Sequence, residues 1–429
     1  MKKVSFRASF ALLMAVLIIV GLAVYVVQYI QNGEKWALYF DESTSDCEYT
    51  MTDRNGKVLA KMGGGSKSYA DDANTRIACY HLTGDYTGNV GTGALNSFRR
   101  QLSGFNLITG VEKGEDVTLP LTVDSSLNVK AYEALNGRSG AVMVYNYKTG
   151  EVMCMVSSPS IDPLNPPENL PDGAYINRCL SSTFVPGSVY KLVTLTAALE
   201  NIDDIYQRTF SCGGSLDVKG VTINCHSVHG QQTIEQALSN SCNCAFAEIS
   251  LELGTDIIAE YAEKLGMTTS LKLDNISTAA GNYDKDESKS AAMAWSGIGQ
   301  YNDLVSPYAM MRLSGAIANG GKVVEPSLLG ESKKTSQLIS SDTAQKVAEM
   351  MNYNVVNHYG QSTFPGLNIS AKTGTAETGD GKASHSWFTG FLNDDEHPYA
   401  FVCIVEHGGS GLRAAGSVIN AVLQAAVSK

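Results

Sequence analysis

Pro186-Gly187-Ser188-Val189-Tyr190-Lys191 opens a long apolar run, Leu192-Val193-Thr194-Leu195-Thr196-Ala197-Ala198-Leu199, and the reading of the whole chain starts there. Pro-Gly is a turn that cannot continue a helix, whereas the run behind it is helical in character, which predicts a helix with Ser188 in its first turn. Residues three apart share a helix face, so the Lys191 amine lies within reach of the Ser188 hydroxyl. A serine is a weak nucleophile at its own pKa, but a lysine desolvated among apolar neighbours loses its proton more easily and can act as the base. The helix N-terminus adds free N–H groups where an oxyanion would form. A capping serine beside an unrelated surface lysine has the same spelling, so the stretch needs company before it identifies chemistry.

The chain has 429 residues, 44% of them hydrophobic and 17% charged, which is enough for two domains with a packed core. A net charge of -11 and the lack of any basic run argue against a nucleic-acid surface. Lys2, Lys3 and Arg7 precede an uncharged, almost wholly apolar stretch from Phe10 to Ile30, about the ~20 residues that a bilayer span requires. The positive flank predicts a cytoplasmic N-terminus with the rest of the chain outside. The rival is a cleaved signal peptide with a weak small-x-small site at Gly21 and Ala23, although apolar residues continue to Ile30.

Nine cysteines, an odd number, leave at least one unpaired. Cys154 lies in an alternating strand pattern and reads as core, while Cys212 and Cys225 bracket a hairpin-like stretch and could form a disulfide. Cys225, His226, His229, Cys242 and Cys244 are zinc-ligand types without a recognised zinc spacing, so no metal and no cofactor is assigned.

The expected division is a cytoplasmic tail (1–7), a membrane anchor (8–30), a small mostly-β pedestal (31–138) with glycine punctuation such as Gly63-Gly64-Gly65-Ser66, and a larger domain (139–429). In the larger domain, Ala141 to Tyr145 and Glu151 to Val156 read as strands joined at the turn Tyr147-Lys148-Thr149-Gly150. Helical stretches follow at Thr233 to Leu238, Thr255 to Leu265, Pro307 to Ala318 and Ser341 to Met351. Strands return at Ile369 to Glu377, Ser386 to Phe391 and Tyr399 to Glu406, closed by a helix from Ala414 to Val427. The fold class is α+β: a five-stranded antiparallel sheet built from both ends of the segment and covered by helices, with an all-helical lobe to one side.

Two further clusters bear on Ser188. Ser241-Cys242-Asn243 follows a helical run and puts a second hydroxyl and an amide on a loop, where they could relay a proton and hold a substrate backbone. Lys372-Thr373-Gly374-Thr375 lies inside a strand, where glycine permits close approach of another backbone and lysine with threonines offers charge and hydroxyls to a carboxylate. Lys148-Thr149-Gly150 has the same three letters but sits between two short strands as an ordinary turn.

S-x-x-K, S-x-N and K-T-G in that order are the motif set of penicillin-binding proteins and class A β-lactamases. From about Thr52 onward the chain resembles a class B penicillin-binding protein, a monofunctional D,D-transpeptidase of peptidoglycan synthesis. Asp53-Arg54-Asn55-Gly56 in the pedestal, Asn177-Arg178, Ser306-Pro307 and Ala318-Asn319-Gly320-Gly321 carry the resemblance further. Two positions depart from it: Tyr301 stands after Gln300 where the family usually has glycine, and Cys244 follows Asn243 where a hydroxyl residue is more usual.

The resemblance implies that Ser188 is the nucleophile and Lys191 its base, that Ser241, coupled to Lys191 and Lys372, returns the proton to the leaving group, and that Asn243 orients the acyl chain. It implies that Thr373 and Thr375 bind the substrate carboxylate across Gly374, with backbone N–H groups of Ser188 and Thr375 as the oxyanion hole. The implied partners are a peptidoglycan stem peptide ending in D-Ala-D-Ala, β-lactams that mimic it, and a membrane-embedded glycan polymerase. A D,D-carboxypeptidase or β-lactamase on the same fold, and a membrane-bound β-lactam sensor or polymerase-activating scaffold, are the alternatives.

Overall fold

The computed structural model describes residues 2–41, 48–63, 66–103, 105–106, 110–111, 116–285, 290–379 and 381–428. Cys47, Gly64 and Gly65 lie outside these described residues. By contact the chain divides into two units, one formed by 1–52, 58–69 and 98–119 and the other by 53–57, 70–97 and 120–429.

The first unit starts with the helix Lys2–Asp41. Its stretch Phe6–Asn32 is 27 residues long, which at the rise of an α-helix is about 40 Å, long and apolar enough to cross a membrane. Its large side chains, Leu17, Ile18, Ile19 and Leu22 among them, are exposed. The unit also holds a four-stranded sheet in the order Ser66–Tyr69, Val58–Gly63, Glu48–Thr52, Val117–Pro120, with Met51 and Leu59 buried in its core.

The second unit is built on five antiparallel strands: β1 (Gly140–Asn146), β2 (Val152–Ser158), β3 (Ile369–Ala376), β4 (His385–Leu392) and β5 (Tyr399–Val405). Their order is β3-β4-β5-β1-β2, so both ends of the segment contribute, as the strand pattern predicts. Register carries Lys372 opposite Thr389, Thr389 opposite Val402, and Val402 opposite Met143. Every residue of β2 and β4 is buried, because helices cover both faces of the sheet.

On one face Val142, Val144, Phe388, Phe401 and Cys403 pack with Leu127 and Ala131 of the helix Ser125–Leu135 and with Val418 and Val422 of the helix Ser417–Val427. Cys154 belongs to this core. On the other face the helix Pro307–Ala318 lies so close that a Cβ on Gly315 would meet the Tyr145 hydroxyl at 1.7 Å, while Ser314 Oγ and Thr389 Oγ1 are 2.8 Å apart. Period-two alternation therefore decides the site: Ala371 faces the aliphatic core, whereas Lys372 and Gly374 face the lobe.

Among the described residues the lobe is mostly but not wholly helical: it carries the short antiparallel ribbons Thr209–Cys212 with Gly230–Thr233, Ser215–Val218 with Val221–Asn224, Lys272–Leu273 with Ile276–Ser277 and Lys322–Val324 with Thr335–Gln337. Their alternation is too brief to compete with the surrounding polar residues in a sequence reading. The larger unit also takes in residues 53–57, 70–97 and 120–138, which the sequence division places in the pedestal. The reason lies in the helices: Ala78 and Leu82 of Ala73–Thr83 and Leu127 and Ala131 of Ser125–Leu135 are buried, and the Asn128 side chain bonds to both backbone groups of Met155 on β2.

Phe388 is the hinge of the apolar face, stacked on Phe364 at 5.4 Å and on Phe401 at 5.6 Å between ring centres. Phe388→Ala removes a fully buried ring from a close-packed layer, and a loss of about 3–5 kcal/mol is expected. Thermal unfolding of the full-length protein in detergent checks this; an unchanged midpoint would contradict the packing described.

Candidate active site

Ser188 sits in a 3₁₀ turn, Gly187–Val189, that runs into the helix Lys191–Asn201, so the predicted first turn is tighter than an α-helical one. The turn is held by Gly187, whose φ of 55° lies in the left-handed region and whose N–H donates to the Gly299 carbonyl at 2.8 Å. A Cβ on Gly187 would meet the Thr375 carbonyl oxygen at 2.6 Å, and one on Gly374 would meet the Pro186 carbonyl oxygen at 2.9 Å. Glycine on both sides thus lets the serine turn rest directly on β3, the close approach that a strand glycine predicts.

Lys191 is fully buried, and its Nζ donates to Ser188 Oγ at 3.1 Å, Ser241 O at 2.7 Å, Ser241 Oγ at 3.3 Å and Asn243 Oδ1 at 2.8 Å. Lys372, also fully buried, reaches Ser241 Oγ at 3.1 Å and the Thr373 carbonyl at 3.0 Å. The five polar side chains Ser188, Lys191, Ser241, Asn243 and Lys372 therefore form one hydrogen-bonded chain. Thr373, Gly374 and Thr375 continue along β3 beside it, with Thr375 exposed.

Burial pushes the Lys191 amine down to about 8, against a smaller opposing pull from the thiols of Cys242, Cys225 and Cys244. Burial, with the Lys191 charge in second place, pushes Lys372 well below the ordinary lysine range. Desolvation penalises each ammonium, and the Lys191 charge further penalises that of Lys372, so a neutral amine next to Ser188 is available near neutral pH.

The Ser241 loop has a specific geometry. The helix Ile234–Ser239 ends in a Schellman turn, with Ser241 N–H bonded to Leu238 O at 3.1 Å and Cys242 N–H to Ala237 O at 2.9 Å. Ser241 occupies the left-handed position, φ 50°, where glycine is usual. Cys242 then serves as N-cap of the helix Asn243–Leu253, which sets Asn243 on its first turn, and the Asn243 side chain also donates to Asn224 O at 2.9 Å.

Two neighbours, Tyr359 and Trp387, have no sequence signal of their own. Tyr359 accepts from the Thr373 N–H at 3.0 Å and lies 3.1 Å from Thr373 Oγ1. Trp387 Nε1 donates to Val185 O at 2.9 Å and so anchors the chain entering the serine turn. Tyr301, the departure noted after Gln300, has φ 70°, a left-handed conformation that favours glycine.

The cysteines depart from expectation. All eight described cysteines are free, Cys212 and Cys225 included. Cys212 ends a strand opposite Gly230, and instead of bonding to Cys225 it joins Cys225, His229 and Cys242 in one cluster. Of the five zinc-type residues noted in the sequence, three are therefore brought together, with Cys212 as the fourth member in place of His226 and Cys244.

Residues 140–424 match the model of the penicillin-binding protein transpeptidase domain. The peptidoglycan D,D-transpeptidase PbpA of Mycobacterium tuberculosis is 27% identical over 326 residues, covering 67% of this chain and 66% of that protein, just under two thirds of its length. Among solved structures, the D,D-transpeptidase domain of a peptidoglycan glycosyltransferase from Eggerthella lenta superposes with a TM-score of 0.75 at 24% identity, over 90% of this chain and 99% of that one. A ceftriaxone acyl-enzyme complex of penicillin-binding protein A from M. tuberculosis gives 0.75 at 22% identity, over 89% of this chain and 99% of that one. With the fold shared and the domain model matched across most of its length, the chain belongs to the penicillin-binding protein transpeptidase family, in its class B branch.

Proposed function

We propose that this protein is a peptidoglycan D,D-transpeptidase that works through a Ser188 acyl-enzyme. The observation that carries the reading is the Ser188 hydroxyl 3.1 Å from a buried lysine amine, one of whose further partners, Ser241, is shared with a second buried lysine. Neutral Lys191 takes the Ser188 proton as Oγ attacks the penultimate D-Ala carbonyl of a stem peptide. Charge on the carbonyl oxygen is met by the backbone N–H groups of Ser188 and Thr375, which the paired glycines bring together. As the C–N bond breaks, Ser241 hands a proton to the departing D-Ala amine and recovers it from the lysine pair. Asn243 orients the acyl chain; Thr373 and Thr375 bind the terminal carboxylate in the field of Lys372. An amine from a neighbouring stem then attacks the ester, forms the crosslink and frees Ser188.

The apolar helix anchors the chain in the cell membrane with the catalytic domain outside, working beside a membrane-embedded glycan polymerase. β-Lactams mimic the D-Ala-D-Ala terminus and are expected to acylate Ser188; ceftriaxone forms an acyl-enzyme with the mycobacterial relative.

Incubation of the full-length protein with benzylpenicillin is expected to add one adduct mass, on the tryptic peptide containing Ser188, and Ser188→Ala is expected to abolish it. An adduct that persists in the variant would overturn the assignment. The pH profile carries a second expectation. Lys191 can accept a proton only when neutral, and its pKa is near 8, so the acylation rate should rise roughly tenfold per pH unit below that value and level off above it. A profile flat from pH 6 to 9 in stopped-flow acylation would remove Lys191 from the role of base.

A further inference from the structure

Next to the catalytic loop lies a group of side chains that the transpeptidase chemistry does not use. The thiols of Cys212, Cys225 and Cys242 and the imidazole of His229 present one ligand atom each, all within 4.8 Å of one another. Cys225 Sγ is 3.9 Å from Cys242 Sγ and 3.5 Å from His229 Nδ1. With ordinary zinc–sulfur and zinc–nitrogen bond lengths, a tetrahedron separates two sulfurs by about 3.8 Å and a sulfur from a nitrogen by about 3.6 Å. These two spacings are those of ligands around one ion, and the remaining pairs lie within 4.8 Å. We infer that Cys212, Cys225, His229 and Cys242 form a structural zinc site that locks the Ser241 loop in its catalytic position.

The surroundings suit thiolate ligands. Cys242 caps the helix Asn243–Leu253, and the first N–H of that helix, from Asn243, donates to Cys225 Sγ at 3.3 Å, the kind of outer bond that orients a ligating sulfur. Cys212 and Cys242 are buried and Cys225 and His229 half-buried, so the ion would be closed off by four protein ligands with no open position, as in structural rather than catalytic zinc sites. Binding displaces three thiol protons to solvent and leaves the site with one net negative charge.

Topology explains why these four meet. Gly230, next to His229, pairs with Cys212 across one ribbon, and Cys225 follows the last strand of the other with its N–H bonded to Gly214 O at 2.9 Å. Both ribbons thus open toward Cys242, the middle residue of Ser241-Cys242-Asn243. A metal there joins two weakly packed two-stranded ribbons to the residue between the two catalytic groups of the loop. A disulfide between Cys225 and Cys242 would occupy two of the thiols and leave Cys212 and His229 gathered without a reason.

The site is separable from the catalytic reading because metal content is measured without substrate. The full-length protein, purified in detergent without added chelator, is expected to contain one zinc per chain by inductively coupled plasma mass spectrometry. Replacement by cobalt should give the ligand-field and thiolate charge-transfer absorption of a tetrahedral sulfur-rich site. Alkylation with iodoacetamide should spare Cys212, Cys225 and Cys242 until a strong chelator is added, and chelation should slow penicillin acylation at least tenfold with recovery on zinc return. Cys212→Ser should lose the metal and Cys244→Ser should keep it. Metal-free protein with a Cys225–Cys242 disulfide, cobalt without charge-transfer absorption, or thiols equally reactive with and without chelator would each overturn the inference; the last two are read on the wild-type chain and do not depend on a variant folding.

Discussion

Two lysines buried around one serine hydroxyl are the constraint from which the rest of the catalytic unit follows. Ser241 Oγ is 3.3 Å from one amine and 3.1 Å from the other, and both lysines are fully buried. Two unit charges about 6 Å apart repel by about 3 kcal/mol at an effective dielectric of about 20, on top of the cost of desolvating each. Both effects favour loss of a proton from the pair, and Ser241 is the hydroxyl that bridges the two amines. A chain of this kind supplies a base for attack and an acid for departure from the same atoms.

Such a network tolerates little displacement, since a shift of half an ångström turns a hydrogen bond into a contact. Its members come from segments far apart in the chain: Lys191 and Ser241 are separated by 50 residues, and Ser241 and Lys372 by 131. The sheet answers this demand. β3 is an edge strand of the five, but its inner neighbour β4 is buried along its whole length and packs Phe388 on one face and Thr389 against Ser314 on the other. Lys372 and Gly374 are thus presented from a rigid surface, and Gly187 and Gly374 allow the serine turn to settle against that surface with backbone touching backbone.

What could be read from the sequence is what local physics fixes. Strands β1, β2 and β5 are legible because each is a mostly apolar run, and the three motifs because their spacing is short or their surroundings distinct: Lys372-Thr373-Gly374 lies within a strand and Lys148-Thr149-Gly150 in a turn. Contacts made by distant segments were not legible. Tyr359 meets Thr373 only because the helix Ser341–Asn354 and the turn after it lie along β3. The helix Ala73–Thr83 has little apolar periodicity to announce it, since Thr75, His81 and Thr83 are among its buried residues. The thiol cluster failed the spacing test because its ligands are assembled by strand pairing across two ribbons; Cys212 reaches His229 through its register with Gly230, which no interval in the sequence encodes.

The same reasoning bears on Ser241. Its φ of 50° places a serine at the glycine position of a Schellman turn, a conformation that costs a non-glycine residue about 1 kcal/mol or more. Glycine would relieve the strain but remove the hydroxyl that joins the two lysines, so the chemistry fixes the residue and the surrounding structure must hold the backbone. From one side it is held by Lys191, which bonds the Ser241 carbonyl at 2.7 Å and Asn243 at 2.8 Å. On the other side Cys242 contributes its thiol to the cluster, between the residues whose positions matter most. A metal at that point opposes the pull of the lysine network and fixes the strained turn from behind. The catalytic loop is then held by charge on its front and coordination on its back, and rigid support of a strained serine is what a proton relay between two buried lysines requires.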